Sequence, residues 1–354
     1  QHALAMCTAS YGSYITSKST DDAPWTKKVF SFEDAVQGVP GVPNCEGIPR
    51  NTSAGYPFTL DVPRGSKYKY HFFGSEGEYE FTSQDCALLK RRVENIIAEA
   101  SRGNRLKHVY LDFLKDERRP LEKVSAGSTR LISACPVDLL IALRMYFLDF
   151  MRWFMSNRLV NGSAVGINVF SSEWGELRRL LRGSQFESNL IAGDFQAYDA
   201  CQTRQIQVCF LRFVNSWYND GNDLIRSILF EDICNSKHIY QDVVYEWPGG
   251  NPSGNPLTTI LNTFNNNVLL RYAGLLCHDE YEYGRGLHIV SDDAKISSIL
   301  NQMEHQAYFV AYGDDNLVSV GKDMRLWYNQ HSLTRAFDKI GFTYTSEAKD
   351  GLEV

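Results

Sequence analysis

Apolar residues recur along this chain in two periods, and each period fixes the kind of element that can bury them. Ile206, Cys209, Phe210, Phe213, Val214 and Trp217 follow helical spacing, as do Leu257, Ile260, Leu261, Phe264 and Val268. The same reasoning predicts helices near 84–101, 136–157, 173–182 and 324–340. Short apolar runs bounded by turn residues predict strands: Asn189 to Phe195, a hairpin through His238-Ile239-Tyr240 and Val243-Val244-Tyr245, and the pair Ala307–Ala311 and Leu317–Val320. A further strand is expected to run towards Lys349, and loops rich in Gly, Pro and Tyr are expected at 38–49 and 61–79. With the hairpin at 238–245 set aside as an intrusion, the order from 189 onward is strand, helix, helix, two strands, helix, strand. That is the split βαβ pattern of a ferredoxin-like sheet, so the predicted class is α/β (α+β).

The polar residues that interrupt these patterns gather at element ends. Tyr312-Gly313-Asp314-Asp315 lies between two apolar runs, where a hairpin tip would present adjacent carboxylates. Such neighbours repel unless a divalent cation, usually Mg²⁺, takes oxygen ligands from them. Taken alone, the tetrapeptide also reads as a solvated turn. Asp194 ends one strand, and Asp199 stands just before the next helix, where it also reads as a helix cap. The turn-rich stretch Gly249 to Pro256 runs into a helix on which Thr258, Asn262 and Asn266 form a polar stripe at i, i+4 and i+8. Short polar groups weaken a helix interior, so the stripe argues for a purpose. The alternative is a solvent-facing stripe capped by Ser253 or Asn255.

Gly193-Asp194-Phe195-Gln196-Ala197-Tyr198-Asp199, then Asn251-Pro252-Ser253-Gly254 with Thr258 and Asn262, then Tyr312-Gly313-Asp314-Asp315, resemble in order motifs A, B and C of the RNA-dependent RNA polymerases of picorna-like positive-strand RNA viruses. Lys115-Asp116-Glu117-Arg118-Arg119 with Lys123 and Arg130-Leu131-Ile132 resembles motif F. Asn51-Thr52-Ser53-Ala54-Gly55-Tyr56-Pro57 resembles motif G, and Thr345-Ser346-Glu347-Ala348-Lys349-Asp350 resembles motif D. Six motifs in the family's order span 51 to 350.

The resemblance implies a right-hand polymerase with fingers at 1–149, a palm at 150–234 and 251–354, and a fingers insertion at 235–250. It implies template-directed RNA synthesis by two-metal phosphoryl transfer. Two Mg²⁺ ions, with Mn²⁺ as a substitute, would sit on Asp194 and Asp314, with Asp315 and the Phe195 carbonyl as further ligands. Lys115, Arg119, Lys123 and Arg130 would receive the triphosphate, and Asp199, Ser253 and Asn262, supported by Thr258, would read the ribose 2′-hydroxyl. Thr52, Ser53 and Gly254 would line the template, and Lys349, otherwise a solvated surface lysine, would be general acid to the departing pyrophosphate. The implied partners are an RNA template and primer, ribonucleoside triphosphates, a small viral protein primer and other replication proteins. The implied setting is the host cytoplasm, at membrane-associated replication complexes.

The sequence also departs from the pattern. Ser128 stands where a lysine is common two residues before the motif F arginine, and Asn316 follows the paired aspartates where many relatives are apolar. With Ser31 to Val39, these features lean toward the dicistrovirus and marnavirus side of the group. Motif E and a helical thumb would follow motif D, so with the chain stopping at Val354 the thumb is expected to be largely absent.

Composition changes this picture little. With 354 residues and 44% hydrophobic content the chain can bury an extensive core, and no apolar run reaches membrane-spanning length. Residues 1–20 are polar and mixed, unlike a secretory signal. Eight cysteines without a CxxC pair indicate neither a zinc site nor a disulfide framework. A net charge of −6 sits awkwardly with RNA, yet residues 90 to 130 hold eleven basic against six acidic side chains, an excess of five. Two rival functions follow: a reverse transcriptase, which would exclude the 2′-hydroxyl with a bulky side chain near Asp199, and a non-catalytic RNA-binding or assembly subunit, which would be weakened by an acid cluster.

Overall fold

The computed structural model describes residues 1–19, 26–61, 68–75, 77–183, 189–284 and 292–347. The chain forms two compact units. One comprises Gln1–Pro24, Trp153–Val214 and Thr259–Val354, and the other Trp25–Arg152 and Asn215–Thr258. The sequence reading groups residues 1–149 together; in the structure helix His2–Lys18 lies within the first unit. The reason is packing: Tyr11 lies 5.1 Å from the Phe264 ring and its hydroxyl donates to the Asn161 carbonyl at 2.8 Å.

Eight strands are described: β1 (Tyr110–Leu114), β2 (Leu131–Ala134), β3 (Asn189–Phe195), β4 (Asn235–Tyr240), β5 (Val243–Pro248), β6 (Ala307–Tyr312), β7 (Asp315–Val320) and β8 (Tyr344–Ser346). In the first unit they pair antiparallel in the order β6-β7-β3-β8, the arrangement of a ferredoxin-like sheet. One buried cluster on this unit joins Tyr308 and Val310 of β6 to Leu159, Leu177 and Leu181. The 26-residue helix Thr258–Tyr283 is apolar or buried along most of its circumference. Its fully buried Arg271 pairs with Glu304 at 2.6 Å and lies over Tyr11 and Phe309, so the charge is compensated where it is desolvated.

The second unit carries the order β2-β1-β4-β5, with β1 and β4 parallel and the other pairs antiparallel. Helix Gln84–Ser101 packs Leu89, Val93 and Ile96 inward and starts at Ser83, whose hydroxyl accepts from the Cys86 amide.

Several expectations need correction. The single helix near 324–340 is a 3₁₀ turn, Met324–Leu326, followed by helix Gln330–Lys339. Trp327 and Tyr328 are buried between them, and a capping box between Asn329 and Ser332 restarts the helix. The expected loop at 61–79 contains the short helix Tyr70–Phe73, held by buried Phe72 and Phe73. Helices His2–Lys18, Asp223–Cys234 and Asp293–Gln306 were not foreseen. The first buries Cys7, Thr8, Tyr11, Gly12 and Ile15, a face too small and polar to register as an apolar stripe. Lys349 lies outside the described residues. Among the described residues no helix is long and apolar enough to cross a membrane.

Candidate active site

Strand alternation builds an acidic face on the first unit. Gly193 of β3 opposes Asn316 on β7 and Ser346 on β8, so Asp194, Asp315 and Glu347, each one position along, share the opposite side of the sheet. Their carboxylate oxygens lie within 4.8 Å of one another. Asp315 keeps a solvent-exposed edge. Its carboxyl is nonetheless held above the usual range, first by partial removal from water and then by the charges of Asp314, Asp194 and Glu347. Three mutually repelling oxygen donors are a fitting set for a hard divalent cation such as Mg²⁺ or Mn²⁺.

Asp314 is not one of these three. It occupies the two-residue turn between β6 and β7, where Gly313 adopts the positive φ (64°) that a tight hairpin requires. Its charge acts on Asp315 and on the buried Tyr198. Phe195 ends β3 with its ring packed among Tyr198, Phe337, Phe342 and Tyr344.

The polar stripe on helix Thr258–Tyr283 is engaged, with Thr258 partly buried and Asn262 and Asn266 buried. Asn262 donates to the Asp199 carboxylate at 2.7 Å. One residue on, the Thr263 hydroxyl accepts from the Gly313 amide at 2.8 Å; one turn on, the Asn266 amide donates to the carbonyls of Gly313 and Asp314 at 3.1 and 2.9 Å. A single helix therefore holds both Asp199 and the acidic hairpin.

In the second unit the motif F cations converge on one carboxylate. Glu117 lies 3.1 Å from the Lys115 ammonium, 3.4 Å from Arg119 and 3.5 Å from Arg130. The Lys115 hydrogen bond, followed by the charges of Arg130, Lys115 and Arg119, lowers the Glu117 carboxyl. Arg119 also donates to the Ser128 carbonyl, and Lys123 stands exposed on the short helix Leu121–Ser125. The Ser253 hydroxyl accepts from the Ser133 amide and donates to the Leu131 carbonyl, both at 3.3 Å, fastening its loop to β2. Gly254 pairs with Ala134, and a Cβ there would meet the Ser133 carbonyl at 1.9 Å, so only glycine fits. Thr258 donates to the Pro252 and Asn255 carbonyls, bracing the same loop. Thr52 and Ser53 are held by Lys69, whose ammonium reaches the Thr52 hydroxyl at 2.6 Å and the Ser53 carbonyl at 2.7 Å. Burial lowers the Lys69 pKa to about 8.

Of the predicted residues, Asp194 and Asp315 are joined in one cluster and Asp199 with Asn262 in one hydrogen bond. Sequence reasoning missed Glu347, Glu117 and Lys69 as site components. Glu347 and Glu117 stand inside the quoted motifs, but only the register of β8 on β3 shows where the Glu347 carboxylate goes, and only the ion pairs of the folded chain show where that of Glu117 goes. Lys69 lies in a stretch that reads as loop.

Comparison with known proteins agrees with this geometry. Residues 9–353 match the family model described as viral RNA-dependent RNA polymerase. The chain is 38% identical over 327 residues to the replicase polyprotein of Acute bee paralysis virus (strain Rothamsted), covering 91% of this chain and 16% of that protein. It is 34% identical over 337 residues to the replicase polyprotein of Cricket paralysis virus, covering 92% and 18%. Both relatives fall on the dicistrovirus side toward which the sequence leans. The chain thus spans under a fifth of the length of these relatives. Among solved structures, a Sicinivirus 3Dpol RNA-dependent RNA polymerase matches with a TM-score of 0.72 at 24% identity, covering all of this chain and 64% of that one, which shows a shared right-hand polymerase fold. A family model matched over nearly the whole length, on a ferredoxin-like sheet that carries the acidic cluster, establishes that this chain belongs to the viral RNA-dependent RNA polymerase family.

Proposed function

We propose that this chain performs template-directed RNA synthesis, adding ribonucleotides to an RNA 3′ end with release of pyrophosphate. The observation that carries the reading is the acidic face of β3, β7 and the residue after β8, held by the helix that also engages Asp199. Asp194, Asp314 and Asp315 are the proposed cation ligands, with the Phe195 carbonyl as a further donor and Glu347 completing the cluster. Two Mg²⁺ or Mn²⁺ ions bound there would stabilise the charge that develops on the attacking and leaving oxygens.

The remaining roles belong to the chain's own side chains. Asp199 and Asn262 form a donor–acceptor pair suited to reading a ribose hydroxyl, which a deoxyribonucleotide cannot satisfy. Ser253 and Thr258 contribute through the loop they brace. Lys115, Arg119, Lys123 and Arg130 are the proposed triphosphate contacts. Glu117 holds three of these four cations in one place and would yield them to a phosphate of higher charge. Thr52, Ser53 and Gly254 are the proposed template contacts, and Lys349 keeps its proposed role as proton donor from the motif D resemblance alone. The first unit reads as palm and the second as fingers.

Extension of an RNA primer–template by this chain, with ribo- or deoxyribonucleotides and with or without Mg²⁺, tests the proposal. Mg²⁺-dependent ribonucleotide incorporation that Asp194→Asn abolishes is expected. RNA binding with no incorporation above the Asp194→Asn background would favour a binding subunit. A preference for deoxyribonucleotides would favour a reverse transcriptase.

A further inference from the structure

Beneath the acidic face, on the other side of the same three strands, lies a buried polar contact. Tyr344 of β8 is 1% exposed, and its hydroxyl donates to the Asn316 side-chain oxygen on β7 at 2.8 Å. β3 lies between those strands, so the tyrosine must cross it. It crosses at Gly193, where a Cβ would stand 1.9 Å from the Tyr344 oxygen and 2.0 Å from the ring. Glycine in the middle of a strand costs stability, and here it clears the path for one hydrogen bond. Asn316 is itself 4% exposed, and its amide points to the Asp314 carbonyl at 3.4 Å. An asparagine in a strand interior would be a liability without these partners.

Every member of this brace lies within three residues of an acid of the cluster. Gly193 precedes Asp194, Asn316 follows Asp315, and Tyr344 lies three residues before Glu347. We infer that the Tyr344–Asn316 hydrogen bond over Gly193 is a positioning device that sets the spacing of the Asp194, Asp315 and Glu347 carboxylates. It ties β7 to β8 across β3, so the three strands that carry the acids cannot splay or slip independently. Like charges gathered within 4.8 Å push those strands apart, and a bond directly behind them opposes that push. Tyr344 and Asn316 touch no reacting atom; they act through the carboxylates. The inference rests on reading the acidic cluster as a cation site.

The test is Mn²⁺ binding to the 354-residue chain, followed by the electron paramagnetic resonance signal of the free ion, beside thermal melting. Tyr344→Phe removes one oxygen and keeps the ring, and should weaken Mn²⁺ binding about tenfold, as loss of a group supporting metal ligands commonly does. It should also lower Tm, because the Asn316 oxygen is left buried and unpaired. The double variant Tyr344→Phe/Asn316→Leu removes both polar groups and should recover Tm while Mn²⁺ binding stays weak. Wild-type affinity in folded Tyr344→Phe, or affinity that returns with Tm in the double variant, would make the contact purely structural and overturn the inference. If the single variant does not fold, the double variant alone decides by its affinity. Glu347→Gln and Asp315→Asn serve as references: wild-type Mn²⁺ binding in both would show that the cluster is no cation site, a failure of the functional reading and not of the brace.

Discussion

Asp315 carries the electrostatic tension of the acidic face. Its folded-state pKa is raised, by partial desolvation first and then by three neighbouring carboxylates. A raised pKa means that the folded chain holds this proton more tightly than the unfolded chain. The contribution to stability is therefore fully present below the ordinary carboxylate range and is lost as pH rises through the folded value. At neutral pH the ionised group works against folding until a cation offsets it. Asp315→Asn should then raise Tm at pH 7 in chelator, lose that advantage as pH falls below about 4, and remove most of the Tm gain that Mn²⁺ gives the wild type. Melting curves across pH with and without Mn²⁺ check this, and a lower Tm for the variant at pH 7 in chelator would contradict it. Asp314 and Asp315 were legible as ligand candidates because adjacent carboxylates repel unless a cation offsets them, and because the other motifs accompany them along the chain. Glu347 was not, because a glutamate after a strand declares its face only when the register with β3 is known.

Helix Thr258–Tyr283 shows what an element adds to its residues. Thr258, Asn262 and Asn266 stood out as a polar stripe, and the stripe is the contact line for Asp199 and the acidic turn. Asn266 presents its amide nitrogen to main-chain carbonyls, so its chemistry can be tested by polarity. Asn266→Ala should cost about 1–3 kcal/mol in urea unfolding, since the carbonyls of Gly313 and Asp314 lose a buried donor. Asn266→Asp should cost more, because a carboxylate would face those carbonyls. If Asp is tolerated better than Ala, the amide orientation is reversed. Elements with a clear local pattern were legible: β3 spans Asn189–Phe195 as expected, and β4 and β5 form the expected hairpin, extended to Asn235–Pro248. Those that escaped are stabilised by partners distant in sequence. Helix His2–Lys18 owes its place to Tyr11 against Phe264 and Arg271, which no local pattern encodes.

For the molecule as a whole the question is how a chain of net charge −6 would hold RNA. Uniformly spread, that charge would repel phosphate at every approach; the sequence instead concentrates an excess of five positive charges between 90 and 130. The structure adds that Lys115, Arg119 and Arg130 are gathered on Glu117, so part of that charge is masked until a stronger anion competes for it. Affinity for single-stranded RNA should fall linearly on logarithmic axes as salt rises from about 50 to 200 mM. In Arg119→Gln/Lys123→Gln/Arg130→Gln, three fewer phosphate contacts at about 0.7 each should make that slope shallower by about two. Glu117→Gln should act in the opposite direction, raising affinity at low salt by unmasking Lys115, Arg119 and Arg130. Fluorescence anisotropy of a labelled RNA across the salt range measures both. An unchanged slope in the triple variant, together with no gain in Glu117→Gln, would mean that these cations are a solvated face and that RNA is held elsewhere.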